Sequence, residues 1–586
     1  MSAYRERAAR EIRDERPAAN LTPIMRKLVA DTGTMLARGP GDARDQAIRA
    51  RAYAVDHMEE LHAQVKAAFE RRGIGYHRAA TAHEAVGTIR ALLGDARRVA
   101  KSKSMVGEEV GLTHALRAAG IDVLETDIGE YIVDIEGRGP SHITAPALHL
   151  NRTRIRELLA RTGADLPDDD PVRLSQYVRD VVADYFKDCD AAITGANAVI
   201  ARSGRVVAVE NEGNVSLGVS HPKLHIIITG IEKVVADEAA ALAVLQVLAP
   251  NATGQPLTSF THFLGDPLPG QGRHVVFVDN GRSRIAQQGP YRDVLRCIRC
   301  SACMNACPVY RSAGGLSYGS PYMGPIGAVI SPLLWPGEKY SDLPFASSLC
   351  ARCSEVCPVG IPLHRMLLDL RADSVAAHHA GDRKERLAWR AWAVAFGGAT
   401  RARATSALLR IGLRGAGRTI RPPGPTRDDP RLLPEPGKAH NDELLLKASE
   451  RRDAPPVIAP EEVLPPSMPE RFALRARQLG ATIVERCAPR DGDRLVRPVA
   501  AVASTGSVLL SGEAAARRPL LAAGRVVVEV DPATIVEYPA GLAGYLGDGD
   551  CLLLTGASRT ADIEKVIVRG IHGAEEMVVV LRTPES

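Results

Sequence analysis

The sequence predicts a mixed α/β protein in which a small, helical, cysteine-centred domain lies between two α/β segments of unequal length. Three observations carry that expectation. Strand-like and helix-like stretches alternate from about residue 72 to 284. Seven of the ten cysteines fall between positions 297 and 357. A shorter alternation returns over residues 470–586. With 586 residues the chain has room for about four domains.

Residues 1–71 read as a helical segment. Asp45 to Arg71 carries apolar residues at helical spacing with no breaker before Gly73, which predicts one long helix. The first α/β domain spans 72–284. Its strand-like runs include Arg98–Ala100, Asp122–Glu125, Ala191–Ile193, Val206–Val209, Leu224–Thr229 and Val275–Val278, with helices over Ala82–Leu93 and Arg173–Phe186. Residues 285–375 are rich in Cys, Pro and Gly and poor in long periodic stretches, as suits a domain built on an inorganic core. A helical extension, 376–421, contains a basic amphipathic helix over Arg383–Phe396. Its Trp389 and Trp392 are expected to pack on the cysteine domain rather than to dock on a membrane. Residues 422–469 read as a Pro-rich linker. Residues 470–586 form the second, partial α/β domain.

The two α/β segments share a weak internal repeat. At an offset of 302, Ala201 faces Ala503, Gly204 faces Gly506, Val206 faces Val508 and Val234 faces Val536. A register kept over some forty residues favours duplication over chance.

The chemistry concentrates in two cysteine motifs. Cys297, Cys300, Cys303, Cys307 and Pro308 form C-x2-C-x2-C-x3-C-P, the run that holds iron–sulfur clusters in bacterial ferredoxins. Zinc, the alternative, needs only four ligands, typically as two separated pairs. The second motif, Cys350, Cys353, Cys357 and Pro358, lacks its first cysteine and has Ser347 in that place. Crossed ligation assigns Cys297, Cys300, Cys303 and Cys357 to one 4Fe–4S cluster, and Cys307, Cys350 and Cys353 to another. The second cluster is then a 3Fe–4S centre, or its fourth iron is bound by a non-cysteine ligand or by substrate. Arg299 and Arg352, one inside each motif, either raise the cluster potentials or are solvated surface charges. Cys189, Cys487 and Cys551 read as buried structural thiols, with Cys189 the alternative candidate for the missing ligand.

Other candidates are sparser. Lys101, Ser102, Lys103 and Ser104 follow a strand-like run, where α/β folds bind ligands, and would suit a carboxylate or phosphate. Asn211, Glu212 and Asn214 around Gly213 form either a structured turn or a ligand contact. Glu130, His142 and His149 could move protons, though a lone histidine is more often structural. No catalytic base is assigned. A net charge of +5 and 4% aromatic residues argue against a nucleic-acid binder. There is no dinucleotide fingerprint and no phosphate-binding P-loop, so nothing points to NAD or ATP; a flavin stays open. No apolar run reaches the ~20 residues that span a bilayer. The charged first sixteen residues lack a secretory signal. The expected location is cytoplasmic, with contact at the inner membrane made peripherally through partners.

Taken with the cysteine motifs, "PVYRSAGG", "GSPYMGPIGAVISPLL" and "LPFASSLC" resemble the iron–sulfur subunit of the lactate utilization family, lactate utilization protein B. Upstream, "AKSKSM", "ETDIGEYIVDI", "PSHITAPALH", "ITGANAVIA", "NEGN", "GIEKVV" and "VFVDNGRSRI" resemble that family's LUD domain. The resemblance covers residues 20–440, and in that family too the second motif has three cysteines. The tail string "TGASRTADIEKVIVRGIHGAEE" resembles lactate utilization protein C, so the chain looks like a fusion of two subunits. Ser558, Arg559, Thr560, Asp562 and His572 are its polar turn residues. Two departures stand out. Glu485 to Val502 leaves little room for the first strands of a full LUD domain, so the tail either completes itself with other parts of the chain or is a remnant. Arg202 and Arg205 stand where the family has a Glu and a Thr.

The resemblance implies a fold similar to the CoA-transferase and sugar-isomerase α/β folds. It also implies electron transfer in a complex that oxidises L-lactate to pyruvate, an oxidoreductase of which this chain is one subunit. The partners would be a subunit with paired-cysteine CCG motifs, similar to lactate utilization protein A, a protein C-like subunit and a downstream acceptor. The group that first oxidises lactate is not visible in this chain. Three rivals remain: transfer from another 2-hydroxy acid such as glycolate, a LUD enzyme of CoA-transferase or isomerase type with structural clusters, and a redox-sensing scaffold.

Overall fold

The structure, a computed structural model, describes residues 3–14, 17–377, 383–415, 419–420, 431–432, 464–488, 490–563 and 566–582. Four helices open the chain, Ala3–Asp14, Pro17–Ala37, Ala43–Asp56 and Met58–Arg72. The single helix expected over Asp45–Arg71 is therefore two, broken at His57 (φ −114°, ψ 26°). Neither glycine nor proline causes the break. Ala47 and Val55 pack toward the cysteine domain, whereas Leu61, Val65 and Phe69 pack on the first sheet. One straight helix would not serve both surfaces.

The first sheet is built from β1 (Ile74–Ala79), β2 (Arg98–Lys101), β3 (Asp122–Glu125), β4 (Ala191–Gly195), β7 (Leu224–Gly230) and β10 (Gly272–Val278), in the order β1-β10-β7-β4-β2-β3. All its pairings are parallel. Ile226–Ile228 and Val275–Val278 are wholly buried, the continuous aliphatic pattern of strands covered on both faces. Between them run β5 (Ala198–Ile200), β6 (Val206–Glu210), β8 (Val234–Val235) and β9 (Phe260–Leu264), which belong to another sheet.

The tail repeats this plan in shorter form. After a two-strand ladder, β11 (Thr419–Ile420) with β12 (Arg431–Leu432), come β13 (Thr482–Val484), β14 (Arg494–Val496), β15 (Ala500–Val502), β16 (Ser507–Ser511), β17 (Arg525–Val530), β18 (Ile535–Val536), β19 (Cys551–Leu554), β20 (Arg559–Thr560), β21 (Val568–Arg569) and β22 (Glu576–Leu581). The parallel order β13-β22-β17-β14 mirrors β1-β10-β7-β4. Among the described residues β2 and β3 have no counterpart, because residues 80–190 of the first half are matched in the tail only by 485–493.

The other strands of both halves join in one sheet of eight, β18-β15-β16-β19-β9-β6-β5-β8. Its middle is the antiparallel seam β9–β19, with Phe260 opposite Leu554 and Phe263 opposite Cys551. The tail thus completes itself on the first half. The repeat is visible in detail. Gly204 (φ 69°) turns the β5–β6 hairpin and Gly506 (φ 67°) the β15–β16 hairpin. A Cβ at either would strike the helix ahead of its own half, Ala68 at 2.9 Å or Ala476 at 2.5 Å. The register corrects one expected pair: Val199 aligns Val234 as Ala501 aligns Ile535, so Val234 corresponds to Ile535 and not to Val536. One residue is lost before that strand.

The cysteine domain is helical, with Ala302–Asn305, Pro308–Ala313, Gly324–Leu334, Arg352–Glu355 and Leu363–Ala376. One apolar core joins it to the opening helices and to both halves, from Met25 and Leu245 through Cys300 to Leu553. The helix Arg383–Phe396 does not pack on this domain as expected. Trp389 and Trp392 are 60% and 54% exposed and meet each other edge to face. The linker expected over 422–469 lies outside the described residues except for 431–432 and 464–469. Among the described residues no helix is long and apolar enough to cross a membrane.

Candidate metal centre

The two cysteine loops are copies of each other at an offset of 50, from Cys300 to Cys350. Arg299 and Ser301 have φ of 61° and 63°; Leu349 and Ala351 have 54° and 63°. Such values are rare for residues other than glycine and turn backbone N–H groups inward. Each loop ends in a four-residue helix, Ala302–Asn305 or Arg352–Glu355. The Arg299 N–H donates to Cys297 Sγ at 3.4 Å, and the Leu349 N–H donates to Ser347 Oγ at 3.1 Å. Tyr310 and Ile361 N–H groups donate to Cys307 and Cys357 sulfurs, each at 3.4 Å.

The sulfurs fall into two crossed groups. Cys297, Cys300, Cys303 and Cys357 line one cavity, walled by apolar residues such as Ile143, Ile326 and Leu363. Among the described residues no three Cys, His, Asp or Glu side chains converge on one point as around a single bare ion; the four cysteines ring a volume instead. Burial raises Cys303 far above an ordinary thiol, and the neighbouring Cys297, Cys300 and Cys357 raise it further. Cys353 is pushed up to about 11, first by burial and then by Cys307 and Cys350. Cys307 is raised by burial and by Cys350. Thiols so placed resist ionisation unless a metal takes the thiolates. The donor set, the crossing and the inward N–H groups fit two iron–sulfur clusters.

The two groups meet different surroundings. Beside the first, the Arg299 guanidinium lies 4.3 Å over the Tyr322 ring and 3.7 Å from Glu232. Lys233 Nζ donates to the Cys297 carbonyl at 3.0 Å. Burial lowers Lys233 to about 8 despite Glu232. Burial opposes ionisation of Glu232, yet Arg282, Lys233 and Arg299 hold it at about 2. Arg282, wholly buried, spans Glu232 and Glu109 at 2.6 Å each. The second group is shallow: Cys350 is exposed, and Arg352 is a surface residue paired with Glu355 at 2.7 Å. The matched arginines are therefore not equivalent.

The loop after β2 is more closed than its sequence suggests. Lys101 is fully buried, with Nζ 2.8 Å from Glu125 and 3.4 Å from Glu108. Burial disfavours its charge, but those carboxylates restore it and raise its pKa. Its ammonium is paired within the protein by these two carboxylates. Ser104 caps the helix Met105–Glu109 by accepting from the Gly107 N–H. Ser102 Oγ is buried without a hydrogen-bond partner, and Lys103 sits 4.0 Å from Asp127. Glu130 is raised well above an ordinary carboxyl by burial, against Lys103. Glu212 is raised by burial, Asp127 and Asp562.

The turn at 211–214 grips the tail. Asn211 and Glu212 carbonyls accept from the N–H groups of Arg559 (2.8 Å) and His572 (2.9 Å). Ser558 Oγ donates to the Glu212 carbonyl at 2.7 Å. Asp562 accepts from the Gly129 N–H at 3.0 Å. At Gly213 (φ 101°) a Cβ would lie 2.0 Å from the His572 carbonyl. Asn211 Oδ1 accepts from Ser259 N–H, and Asn214 Oδ1 from Val215 N–H. Arg202 and Arg205 likewise bind Glu238, and Arg205 also donates to the Gly549 carbonyl of the tail.

Both candidate histidines are held by hydrogen bonds. His142 Nδ1 accepts from Thr144 and Ala145 N–H groups while Nε2 meets Asn305 at 3.1 Å. His149 bridges Glu136 and Ser141 at 2.8 Å each. Of the outlying thiols only Cys551 is fully buried, and Cys189 packs in a separate apolar cluster from the other sulfurs. Sequence reading missed the buried seam: His262 Nε2 lies 2.7 Å from Glu210, Arg517 Nε donates to His262 Nδ1 at 3.2 Å, and Arg517 pairs with Asp550 at 2.7 Å. The β6–β9 pairing brings Glu210 to His262, and the tail adds Arg517 and Asp550. Lys233 and Glu232 lie in "GIEKVV", far in sequence from the cysteines, and gave no local sign.

An α/β domain fused to a domain that rings two sets of cysteines defines an iron–sulfur protein of the LUD type. Comparison supports that class: residues 62–288 match the LUD domain family and 293–361 the 4Fe-4S dicluster domain family. Lactate utilization protein B of Geobacillus thermodenitrificans is 40% identical over 414 residues, 67% of this chain and 85% of that one. Lactate utilization protein B of Bacillus thuringiensis is 42% identical over 345 residues, 58% of this chain and 73% of that one. A DUF162 family protein from Deinococcus radiodurans aligns over 38% of this chain and 98% of its own at 18% identity, with a TM-score of 0.22, too loose to bear on the fold. The chain belongs to the lactate utilization protein B family and is an iron–sulfur protein of lactate utilization, its clusters associated with the cysteines of residues 297–357.

Proposed function

We propose that the chain is the electron-transfer subunit of a complex that oxidises L-lactate to pyruvate. The observation that carries this is the crossed pair of sulfur groups, one deep in the core and one opening at the surface through Cys350. In this reading Cys297, Cys300, Cys303 and Cys357 hold one 4Fe–4S cluster, and Cys307, Cys350 and Cys353 hold the other. The clusters supply one-electron redox chemistry. The chain's own residues bind them, exclude water from the first with apolar walls, and set Arg299 and Lys233 beside it, where positive charge favours the reduced state. The exposed Cys350 edge is where a partner would exchange electrons.

Lactate oxidation releases two electrons, which two one-electron centres can pass on singly. The partners in this reading are a protein A-like subunit with paired cysteines and a downstream acceptor. A protein C-like subunit, which the tail resembles in part, is a further candidate partner. The test is lactate-dependent cluster reduction in the complex reconstituted without oxygen. Reduction by lactate, lost on Cys350→Ser with Cys353→Ser, supports the reading. Turnover that survives both substitutions would point to the LUD domain as the enzyme. Reduction by glycolate but not lactate would change the substrate.

A further inference from the structure

The second sulfur group has three members where the first has four, and we propose that Ser347 Oγ is its fourth iron ligand. This rests on the two-cluster reading above and extends it by naming an oxygen ligand. Ser347 occupies the position of Cys297 in the 50-residue repeat of the cysteine loops. The equivalence holds in three dimensions. Ser347 Oγ accepts from the Leu349 N–H as Cys297 Sγ accepts from the Arg299 N–H.

The backbone around Ser347 keeps a ligand's geometry. Leu349 holds φ at 54°, a conformation that costs a branched, bulky residue free energy and persists only where its surroundings impose it. The matching Arg299, at 61°, lies in a loop whose first residue is a cysteine of the first group. A loop that had merely lost its first ligand would be free to relax Leu349. Instead Arg371 pins it from the helix Leu363–Ala376, donating to the Pro344 carbonyl at 2.9 Å and to the Ser347 carbonyl at 2.8 Å. Arg371 thus holds the Ser347 backbone, and the Leu349 N–H holds its Oγ, before any metal arrives.

The chemistry needs no further reactant. The hydroxyl gives its proton to water, which reaches this half-buried residue beside the exposed Cys350, and one Fe–O bond forms without change of oxidation state. An alkoxide is a harder donor than a thiolate and favours ferric iron. The second cluster would therefore be the harder of the two to reduce for a given environment.

The test compares the full chain with Ser347→Ala, Ser347→Cys and Ser348→Ala, all purified without oxygen. Iron content, EPR and Mössbauer spectra and redox titrations are read. The unchanged chain is expected to hold about eight irons as two 4Fe–4S clusters. Ser347→Ala should lose about one iron and give a 3Fe–4S signal after mild oxidation. Ser347→Cys should keep every iron and raise the potential of one cluster only; Ser348→Ala should change nothing. Identical spectra, iron and potentials in Ser347→Ala and the unchanged chain would overturn the ligand assignment, as would a 3Fe–4S centre in the intact, undamaged chain. An unchanged chain with no reducible cluster would instead overturn the reading on which the proposal rests.

Discussion

Arg299 and Arg352 occupy matched positions in the two cysteine loops and meet opposite surroundings. Arg299 is enclosed between Tyr322 and Glu232, whereas Arg352 lies on the surface with Glu355. Charge in a low-dielectric site acts strongly, and the same charge in water is screened. Arg299→Gln should therefore lower the potential of one cluster by tens of millivolts, while Arg352→Gln should move neither by as much. Redox titration followed by EPR checks this, and equal shifts in both variants would show that burial does not separate them. Lys101 shows what the sequence hides at this scale. Two lysines and two hydroxyls at a strand's end resemble an anion site, but Lys101 stands directly opposite Glu125 across the β2–β3 ladder. The partner comes from a strand 24 residues on, and only the register reveals it.

At the scale of elements, the turn 211–214 is joined to the tail residues 558–559 and 572 by hydrogen bonds. His572 sits in their contact, lowered to about 4 by burial and by Arg179, with Glu210 opposing. A histidine depressed in this way is neutral when docked and gains a proton more readily when released. Its contribution is present above its ordinary 6.5 and is lost as pH falls toward 4, an effect of up to about 3 kcal/mol. Amide exchange over residues 555–563 and 566–575 should rise across that window, and His572→Gln should flatten the response. An unaltered pH profile in that variant would assign the change elsewhere. The strands themselves were legible: Asp122–Glu125 and the helix Ala82–Leu93 fall where periodicity puts them. The break at His57 was not, since it answers to two packing surfaces rather than to a breaker residue. The exposure of Trp389 and Trp392 is not legible either, because an amphipathic pattern states that a face is apolar and not what covers it.

For the molecule as a whole, the repeat read at an offset of 302 and the mirrored strand orders meet in the eight-stranded sheet that joins the halves. The repeat was visible because hairpin glycines and flanking valines keep their spacing. The seam was not, because β9 and β19 lie nearly 290 residues apart (Phe263 opposite Cys551). Removing residues 464–586 would bare the β9 edge, with Phe260, Phe263 and Leu264, and strip Arg517 from the buried His262–Glu210 pair. An open apolar edge recruits other strands. The shortened chain should self-associate and melt lower than the full chain, as sedimentation and thermal unfolding would show. A monomeric, equally stable product would mean that the tail is ornamental to the fold.

The central claim is the crossing of the ligands, and one pair of variants tests it directly. Cys307 lies in the first motif but groups with Cys350 and Cys353; Cys357 lies in the second but shares a cavity with Cys297, Cys300 and Cys303. EPR of the dithionite-reduced chain, purified without oxygen, should show that Cys307→Ser perturbs the same cluster as Cys353→Ser. Cys357→Ser should perturb the same cluster as Cys300→Ser. If instead each motif's cysteines affect a single cluster of their own, the crossed arrangement is wrong.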